Sequence, residues 1–330
     1  SSGGVVEFNS IDREVLIFGK DDGVLDGSGG IVSENSGGWY SRIPKLKKHL
    51  NGDIWVLNAL AEHTNNIVAI QKSNGDWIHI TAPDTNSYLP TDFDFGPNGF
   101  VWFGFKRFDD PYQYVSSGGL KILNTRNTFY DLSDDYWLEV DNPDILPGGT
   151  NQDVISLAFS RVEGQDILWI MGSSGIQGYL VSGTNLLAIY PQNFYGNLGF
   201  AEGDKLKIDS QNNVWIITQH SGVRIIKSNT EQWPDENGFT SSNSGLLSNT
   251  VYDVAFDNSS GRVYFATKSG INILKAPFAL DDSNNSKDEI SISPNPIFLP
   301  SNDGLSIFSF PSGSNVKIMT LSGLILKEFN

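Results

Sequence analysis

The stretch KLKIDSQNNVWIITQHSGVRII, residues 205–226, decides the fold. It contains a short apolar run, a polar turn with two Asn residues, a second run around Trp215, and a third run that alternates after a Gly. Short β-branched and aromatic runs separated by turn residues are typical of antiparallel strands. The stretch therefore predicts successive strands of one sheet.

The aromatic position of this stretch recurs along the chain, in the runs EVLIFG, DIWVLN, FVWFGF, ILWIMG, NVWIIT and RVYFAT. The spacings are 39, 47, 67, 46 and 49 residues, and the positions are Leu16, Trp55, Trp102, Trp169, Trp215 and Tyr264. A period of about 40 to 50 residues is that of a four-stranded propeller blade. The sequence therefore predicts an all-β protein with six visible four-stranded blades, and six or seven blades in the intact ring.

Other signals assign the remaining strands of each blade. Tight two-residue hairpin turns are predicted between the first and second strands, at Asn98, Gly99, Asn212 and Asn213. The outer strands are predicted from an aromatic residue near the end of each unit, at Trp39, Trp77, Phe129 and Trp233. We expect the aromatic residues of both columns to pack between blades.

The ends of the chain suggest a more complex organisation. After Leu274 no outer strand is recognisable, and a propeller must protect the edges of its sheets. We therefore expect one or more strands, or a blade, to be supplied from upstream of Ser1. The predicted domains are the propeller at residues 1–280, a polar linker at 281–290, and the beginning of a truncated β-sandwich at 291–330.

Composition excludes several functions. The formal net charge of −16 disfavours a nucleic-acid partner, since phosphate binding depends on clustered Lys and Arg. There is no Cys, and no apolar run is long enough for a membrane-spanning helix.

Two segments resemble known families. NSGLLSNTVYDVAFDNSSGRVYFATKSGINIL, residues 243–274, resembles the two-component-regulator propeller repeat, as do residues 207–226 and the unit around Trp102. The tail, with SPNP and TLSG, resembles the start of the C-terminal sorting domain of type IX secretion in Bacteroidetes. Together they are similar to the PorZ-like proteins of the type IX secretion system, and the chain would be a C-terminal fragment of such a protein.

This resemblance implies a non-enzymatic binding or scaffold module of the cell-surface attachment complex. It implies an exported protein, at the outer-membrane-associated cell surface or in the periplasm. The implied partners are other secretion proteins and an anionic lipopolysaccharide or other glycan. Two alternatives stay open: the periplasmic ligand-sensing propeller of a hybrid two-component system, and a propeller glycan hydrolase or lyase.

Irregular long connections on one face of the predicted disk suggest where a ligand binds. They carry aromatic residues among carboxylates, which suits a sugar ring or a protein hot spot. The competing interpretation is that these aromatic residues pack the loops onto the disk. The candidate binding residues are Phe108, Tyr112, Tyr114, Tyr136, Trp137, Phe194 and Tyr195.

No catalytic or metal constellation is predicted. The chain lacks Cys and a G-x-S-x-G motif, and its four His residues are scattered. The carboxylates near the ends of the first strands, Asp94, Asp209, Asp253 and Asp257, are interpreted as turn residues. No cofactor is expected. Ca²⁺ is the one ion left open, at Asp21, Asp22 and Asp26 or at Asp209 and Asn213, where turn chemistry is the simpler interpretation.

Overall fold

The computed structural model describes residues 4–8, 11, 13–18, 42–61, 66–84, 87, 89–109, 115–128, 131–141, 153–189, 193–276, 291–293, 306–308, 316–320 and 325–329. These residues are all-β apart from two short 3₁₀ turns, Pro97–Gly99 and Leu132–Asp134. Two compact units are present: residues 1–256 with 263–274, and residues 257–262 with 275–330. The predicted domain boundaries stay a prediction.

Strands that follow each other in the chain are neighbours in a series of sheets. A hairpin comprises β1 (Val5–Phe8) and β2 (Val15–Phe18). Blade 1 comprises β3 (Leu46–Lys48), β4 (Ile54–Leu57), β5 (Asn66–Gln71) and β6 (Trp77–Thr81). Blade 2 comprises β7 (Pro90–Phe95), β8 (Phe100–Asp109), β9 (Val115–Asn124) and β10 (Tyr136–Glu139).

Three further blades follow. Blade 3 comprises β11 (Val154–Val162), β12 (Gln165–Gly172), β13 (Gly175–Ser182) and β14 (Asn185–Ala188). Blade 4 comprises β15 (Lys205–Ile208), β16 (Val214–Ile217), β17 (Val223–Ile226) and β18 (Gln232–Trp233). Blade 5 comprises the three strands β19 (Val251–Asp257), β20 (Arg262–Thr267) and β21 (Gly270–Lys275).

The first strands of successive blades contact one another, as β7 does β11 and β11 does β15. This is the arrangement of a β-propeller, in which first strands surround the central channel. Five blades are described, and the predicted count of six is not confirmed. The hairpin β1–β2 corresponds to the first two predicted strands of the unit around Leu16, which precedes blade 1 in the chain. Residues 19–41 of that unit, including Trp39, lie outside the described residues.

The predicted aromatic column forms the core between blades. The side chains of Trp55, Trp102, Trp169 and Trp215 are at most 2% exposed, whereas Leu16 is 53% exposed. Burying each indole removes a large apolar surface from water, which stabilises the contact between neighbouring blades. The column was therefore predicted correctly for blades 1 to 4, where a neighbouring blade covers it.

The turns differ in length from the prediction. Asn98, Gly99 and Asn212 have the expected positive φ angles of 61°, 73° and 62°. However, residues 96–99 and 209–213 separate the strands, so that these turns are longer than two residues. In the second turn the Asp209 carboxylate accepts hydrogen bonds from the backbone N–H groups of Gln211 and Asn213, both at 2.9 Å, which stabilises the longer loop.

The second unit contains two described strand pairs. They are β22 (Ser291–Ser293) with β23 (Ser306–Phe308), and β24 (Val316–Met319) with β25 (Ile325–Phe329). Two separate pairs do not confirm the predicted β-sandwich. In the described part of the chain, no helix has the length and apolar character needed to cross a membrane.

Candidate functional site

Tyr136 and Trp137 lie in strand β10, the outer strand of blade 2. The sequence predicted a loop for these two residues. It predicted the outer strand of this blade at Phe129, which lies outside the described residues. Side chains alternate along a strand, so these neighbours point to opposite faces. Tyr136 is 41% exposed, its hydroxyl accepts a hydrogen bond from Asn124 Nδ2 at 2.7 Å, and the Arg126 guanidinium lies 5.2 Å from its ring centroid.

Trp137 turns inward and connects two blades. Its ring centroid lies 5.2 Å from that of Phe103. Its Nε1 donates a hydrogen bond of 3.2 Å to the backbone oxygen of Thr81 in blade 1. Trp137 therefore belongs mainly to the contact between blades 1 and 2, and the loop assignment was wrong for this residue.

Phe108 also lies in a strand rather than a loop. The long connection after Trp102 extends β8 and β9, and Phe108 pairs with Ser116 across them. Its half-buried side chain packs on Ala59, Leu60 and Leu89. Two other candidates, Tyr112 and Tyr114, lie outside the described residues.

Phe194 and Tyr195 are core residues. They are 3% and 7% exposed, respectively, because residues 193–200 fold back onto blades 3 and 4. Phe194 lies 5.7 Å from Trp169 between ring centroids, and the Arg224 guanidinium lies 5.6 Å from the Tyr195 ring. Burial raises the pKa of Tyr195 to about 12. The packing interpretation therefore describes these two residues.

The structure thus does not gather the candidates into one surface. Phe108, Trp137 and the pair Phe194 and Tyr195 belong to three separate clusters of packed side chains. Tyr136 alone of the described candidates is both large and well exposed. Their role in binding stays a prediction.

Charged residues in β10 and in the connection before it form, together with Tyr136, what we call the β10 rim: Arg126, Asp131, Asp134, Asp135, Tyr136 and Glu139. The Asp131 carboxylate accepts hydrogen bonds from the backbone N–H and the hydroxyl of Ser133, at 2.9 and 2.6 Å. Glu139 pairs with Lys121 at 2.6 Å. Four carboxylates and one guanidinium give the rim a net negative charge.

Asp135 is the unusual carboxyl group of the β10 rim. Its Oδ1 is buried and has no hydrogen-bond partner in the described structure. Burial raises its pKa to about 6, and the negative charges of Asp134 and Asp131 contribute to the increase. This carboxyl group therefore takes up its proton near pH 6, well above the range of an ordinary Asp.

A second set of charged side chains, which we call the channel carboxylates and their lysines, lies on the first strands around the central channel. Asp92 in β7 pairs with Lys45 of blade 1 at 2.8 Å, and accepts a hydrogen bond of 3.2 Å from the backbone N–H of Leu157 in blade 3. Asp94 repeats the arrangement with Lys47 and with Phe159 N–H, the latter at 2.9 Å. Each carboxylate therefore links three blades.

Blade 5 contains a related carboxylate, Asp253. It pairs with Lys207 of blade 4 at 2.6 Å and with Lys205 at 3.9 Å. Burial opposes its ionisation, but the hydrogen bond from Lys207 and the charge of Lys205 lower its pKa overall. The interpretation of Asp94 and Asp253 as turn residues was therefore wrong, because both face lysines of the preceding blade.

The pKa values of the lysines depend on the same ion pairs and on burial. Burial lowers the pKa of Lys205, and the positive charges of Lys207 and Lys45 add to the decrease. Burial also disfavours the charged form of Lys45, but the attraction of Asp92 outweighs it and raises the pKa. The repeated motif Lys-Leu-Lys, at residues 45–47 and 205–207, is the sequence signal that could have revealed these pairs.

Nothing in the described residues forms a metal centre. No group of three or more His, Asp or Glu residues there is arranged to hold an ion. Asp209 Oδ2 accepts hydrogen bonds from Asn213 Nδ2 at 2.9 Å and Trp215 Nε1 at 2.8 Å, which is the expected turn chemistry. The other Ca²⁺ candidates, Asp21, Asp22 and Asp26, lie outside the described residues.

The fold has counterparts among solved structures, although no protein-family model and no curated protein sequence matches the chain. PorZ, an essential bacterial surface component of the type IX secretion system of Porphyromonas gingivalis, matches with a TM-score of 0.59 and 20% identity. The match covers 99% of this chain and 43% of PorZ, so the chain spans less than half of that protein.

Two other matches have TM-scores below 0.5 and support no conclusion. The extracellular domain assigned to a hybrid two-component system of B. thetaiotaomicron has a TM-score of 0.48 and 13% identity, over 84% of this chain and 31% of that one. A protein of Bacteroides fragilis assigned as a 6-phosphogluconolactonase has a TM-score of 0.47 and 14% identity, over 84% and 74%. The similarity to PorZ, at its level of identity, shows the β-propeller fold alone.

Proposed function

We propose that this chain is a non-enzymatic binding and scaffold module of a type IX secretion cell-surface attachment complex. The observation that carries the proposal is the similarity to PorZ over 99% of the chain. It agrees with the propeller-repeat and sorting-domain resemblances of the sequence. In this proposal the chain acts at the outer-membrane-associated cell surface of a Bacteroidetes bacterium.

The channel carboxylates support a structural rather than a catalytic role for the first strands. General acid–base catalysis needs a carboxyl group placed to exchange a proton with substrate. Asp92 is 3% exposed and is already engaged by a lysine and by backbone N–H groups. Asp94 is engaged in the same way. These groups hold the blades together.

The β10 rim is the proposed binding surface, and a protein is the proposed partner. Tyr136 offers an exposed aromatic face with a polar tip, a residue type that often dominates protein interfaces. The carboxylates of the rim repel an anionic lipopolysaccharide and attract a basic protein surface. Lipopolysaccharide binding at this rim would require a bridging cation such as Ca²⁺.

Binding measurements test this function. The intact chain is titrated by calorimetry with purified attachment-complex proteins, and separately with purified surface lipopolysaccharide with and without Ca²⁺. We expect saturable binding to a protein and no turnover of polysaccharides or sugar lactones. Turnover of any of these substrates, or binding of a free glycan fragment without any protein partner, would contradict the proposal and favour the hydrolase or the sensor.

A further inference from the structure

One position of the third strand is polar in blades 2 to 5. It lies two residues after a Gly, and its occupants are Lys121, Gln177, Arg224 and Asn272. In blades 2 to 4 the residue that follows pairs with the core Trp of the second strand. The polar side chains of these blades therefore start from equivalent places in their sheets.

Three of the four side chains have partners for their polar atoms. Gln177 donates to two backbone oxygens and accepts one backbone N–H, at 2.6 to 2.9 Å. Asn272 uses both atoms of its amide on backbone groups, at 2.8 and 2.9 Å. Lys121 forms ion pairs with Glu139 at 2.6 Å and Asp84 at 3.4 Å.

Arg224 is the exception. Side chains two apart on a strand share a face, so Arg224 points with Ile226 toward the core cluster between blades 3 and 4, and it is 7% exposed. Its Nη1 donates a hydrogen bond of 2.8 Å to the backbone oxygen of Ser221. Nε is buried without a partner, and within the described residues neither Nε nor Nη2 has an acceptor and the guanidinium has no ion pair. Burial of an uncompensated charge is unfavourable.

Tyr195 places a second unpartnered group beside this arginine. Its ring centroid lies 5.6 Å from the Arg224 guanidinium, and its buried hydroxyl has no hydrogen-bond partner. The backbone φ of Tyr195 is 56°, in the left-handed region that a Tyr rarely adopts. Phe194 is bonded to Ile176 on one side, and Leu198 N–H donates 2.9 Å to the Tyr195 oxygen on the other. The fold thus holds the hydroxyl at a buried place where polar groups are normally satisfied.

The free groups have the chemistry of a carboxylate site. Nε and Nη2 of Arg224 form one edge of a planar guanidinium, whose two parallel N–H bonds match the two oxygens of a carboxylate. The Tyr195 hydroxyl supplies a third donor. Three donors without an acceptor select a negatively charged group.

Nearby negative charges restrict which anion suits the site. Burial lowers the pKa of Arg224, and the charge of Asp235 opposes the decrease. Burial raises the pKa of Tyr195, and the charges of Asp235 and Glu236 add to the increase. Both carboxylates are exposed, and Asp235 accepts two backbone N–H groups of its own turn, at 2.7 and 3.1 Å. They repel a doubly charged anion and attract a ligand that carries a positive group beside its carboxylate.

The turn at residues 235–238 covers the arginine. A Cβ on Gly238 would lie 2.5 Å from Arg224 Cγ, so the backbone of this turn lies directly against the side chain. The turn is exposed apart from that contact. A ligand therefore reaches the guanidinium when this surface turn opens, without separation of the blades.

We infer that Arg224 and Tyr195 form a binding site for a free amino acid between blades 3 and 4. The carboxylate of the amino acid accepts hydrogen bonds from Nε and Nη2 of Arg224 and from the Tyr195 hydroxyl. Its ammonium group lies toward Asp235 and Glu236. This site is separate from the β10 rim of blade 2 and does not rest on the proposed partner binding.

Calorimetry on the natural chain tests the ligand class. Glycine is the probe, because it carries both charged groups and no side chain, and sodium acetate, methylamine and inorganic phosphate are titrated separately. We expect saturable binding of glycine, weaker binding of acetate, and no binding of methylamine or phosphate. Absence of glycine binding would overturn the inference, as would equal affinities for glycine and acetate.

Nuclear magnetic resonance and two variants locate the site. In a chain with ¹⁵N-labelled arginine, glycine is expected to shift one Nε–H signal, the signal that Arg224→Lys lacks. We expect Arg224→Lys, which keeps the charge but loses the fork, to bind glycine at least about tenfold more weakly. Tyr195→Phe keeps the ring and is expected to lose about threefold. The matched control is Arg161→Lys, an exposed arginine of blade 3, with unchanged affinity.

Glu236→Gln separates a ligand site from a merely structural arginine. Loss of this exposed charge is expected to weaken glycine binding and to strengthen acetate binding, a reversal that a structural role does not produce. Natural affinity in both Arg224→Lys and Tyr195→Phe would overturn the inference. Circular dichroism checks that each variant is folded, and Tyr195→Phe decides the outcome if Arg224→Lys does not fold.

Discussion

Tyr136 and Tyr195 resemble each other in sequence context but differ in the folded protein. Both lie among polar residues in long connections, yet Tyr136 is 41% exposed on an outer strand and Tyr195 is 7% exposed between blades 3 and 4. An arginine lies over each ring, Arg126 over Tyr136 and Arg224 over Tyr195, but only Tyr195 is also packed into the core between blades. The difference shows that the neighbouring blades, and not the sequence context, decide whether such an aromatic residue is exposed.

The largest expected effect is that of Phe194→Ala, in the buried region of this comparison. Removing a phenyl ring from a full core leaves a cavity, and we expect a loss of about 3–5 kcal/mol in the free energy of unfolding. The control is Tyr136→Ala, for which we expect a change within about 0.5 kcal/mol. Urea unfolding followed by fluorescence measures both, and equal losses would abolish the distinction between the two regions.

Trp137 is intermediate in burial between Phe194 and Tyr136, so its variants separate packing from hydrogen bonding. We expect Trp137→Ala to cost about 2 kcal/mol, less than a fully buried Trp, because the side chain is only half-buried. Trp137→Phe keeps a ring against Phe103 but loses the hydrogen bond to Thr81, so a loss of about 1 kcal/mol is expected. If the Phe variant were as unstable as the Ala variant, the bond between blades rather than the packing would dominate.

The smallest expected change in stability is that of Asp135→Asn. The pKa of Asp135 is about 6 in the folded chain, above its ordinary value of 3.8, so the charged carboxylate destabilises the fold above pH 6. As the pH falls from 6 toward 4, the folded state binds the proton first and the natural chain gains stability.

We therefore expect Asp135→Asn to be more stable than the natural chain at pH 7.5, by less than about 1 kcal/mol because the group is partly solvated. The advantage should disappear by pH 4.5. Thermal unfolding at the two pH values measures it. Glu139→Gln, which removes an exposed charge of the β10 rim, is the control. An advantage independent of pH would show that the burial of Asp135 is not its cause.

Much of the fold could be predicted because local sequence patterns specify the strands and turns of each blade. The Trp column, the outer strands at Trp77 and Trp233, and the positive φ angles at Asn98 and Asn212 follow from residue type and spacing. The outer strand of blade 2 was placed too early, since both Phe129 and the segment at Tyr136 contain aromatic residues. Only pairing with β9 distinguishes them.

The candidate site was less predictable for a physical reason. Whether Phe194 or Tyr136 is exposed depends on which blade lies above it, and this contact joins residues distant in sequence. The same holds for the channel network, in which Asp92 meets Lys45 and Leu157 from two other blades. A single strand carries no signal of these neighbours beyond the repeated Lys-Leu-Lys motif.

The most direct test of the proposed role is calorimetric titration of attachment-complex proteins into the natural chain, Tyr136→Ala and Leu187→Ala. Leu187 is an exposed outer-strand residue of blade 3 and serves as the matched control. We predict saturable binding that Leu187→Ala retains and Tyr136→Ala weakens at least about tenfold, equivalent to about 1.4 kcal/mol. Equal affinities for all three proteins, or no binding by the folded natural chain, would contradict a binding module that acts through the β10 rim.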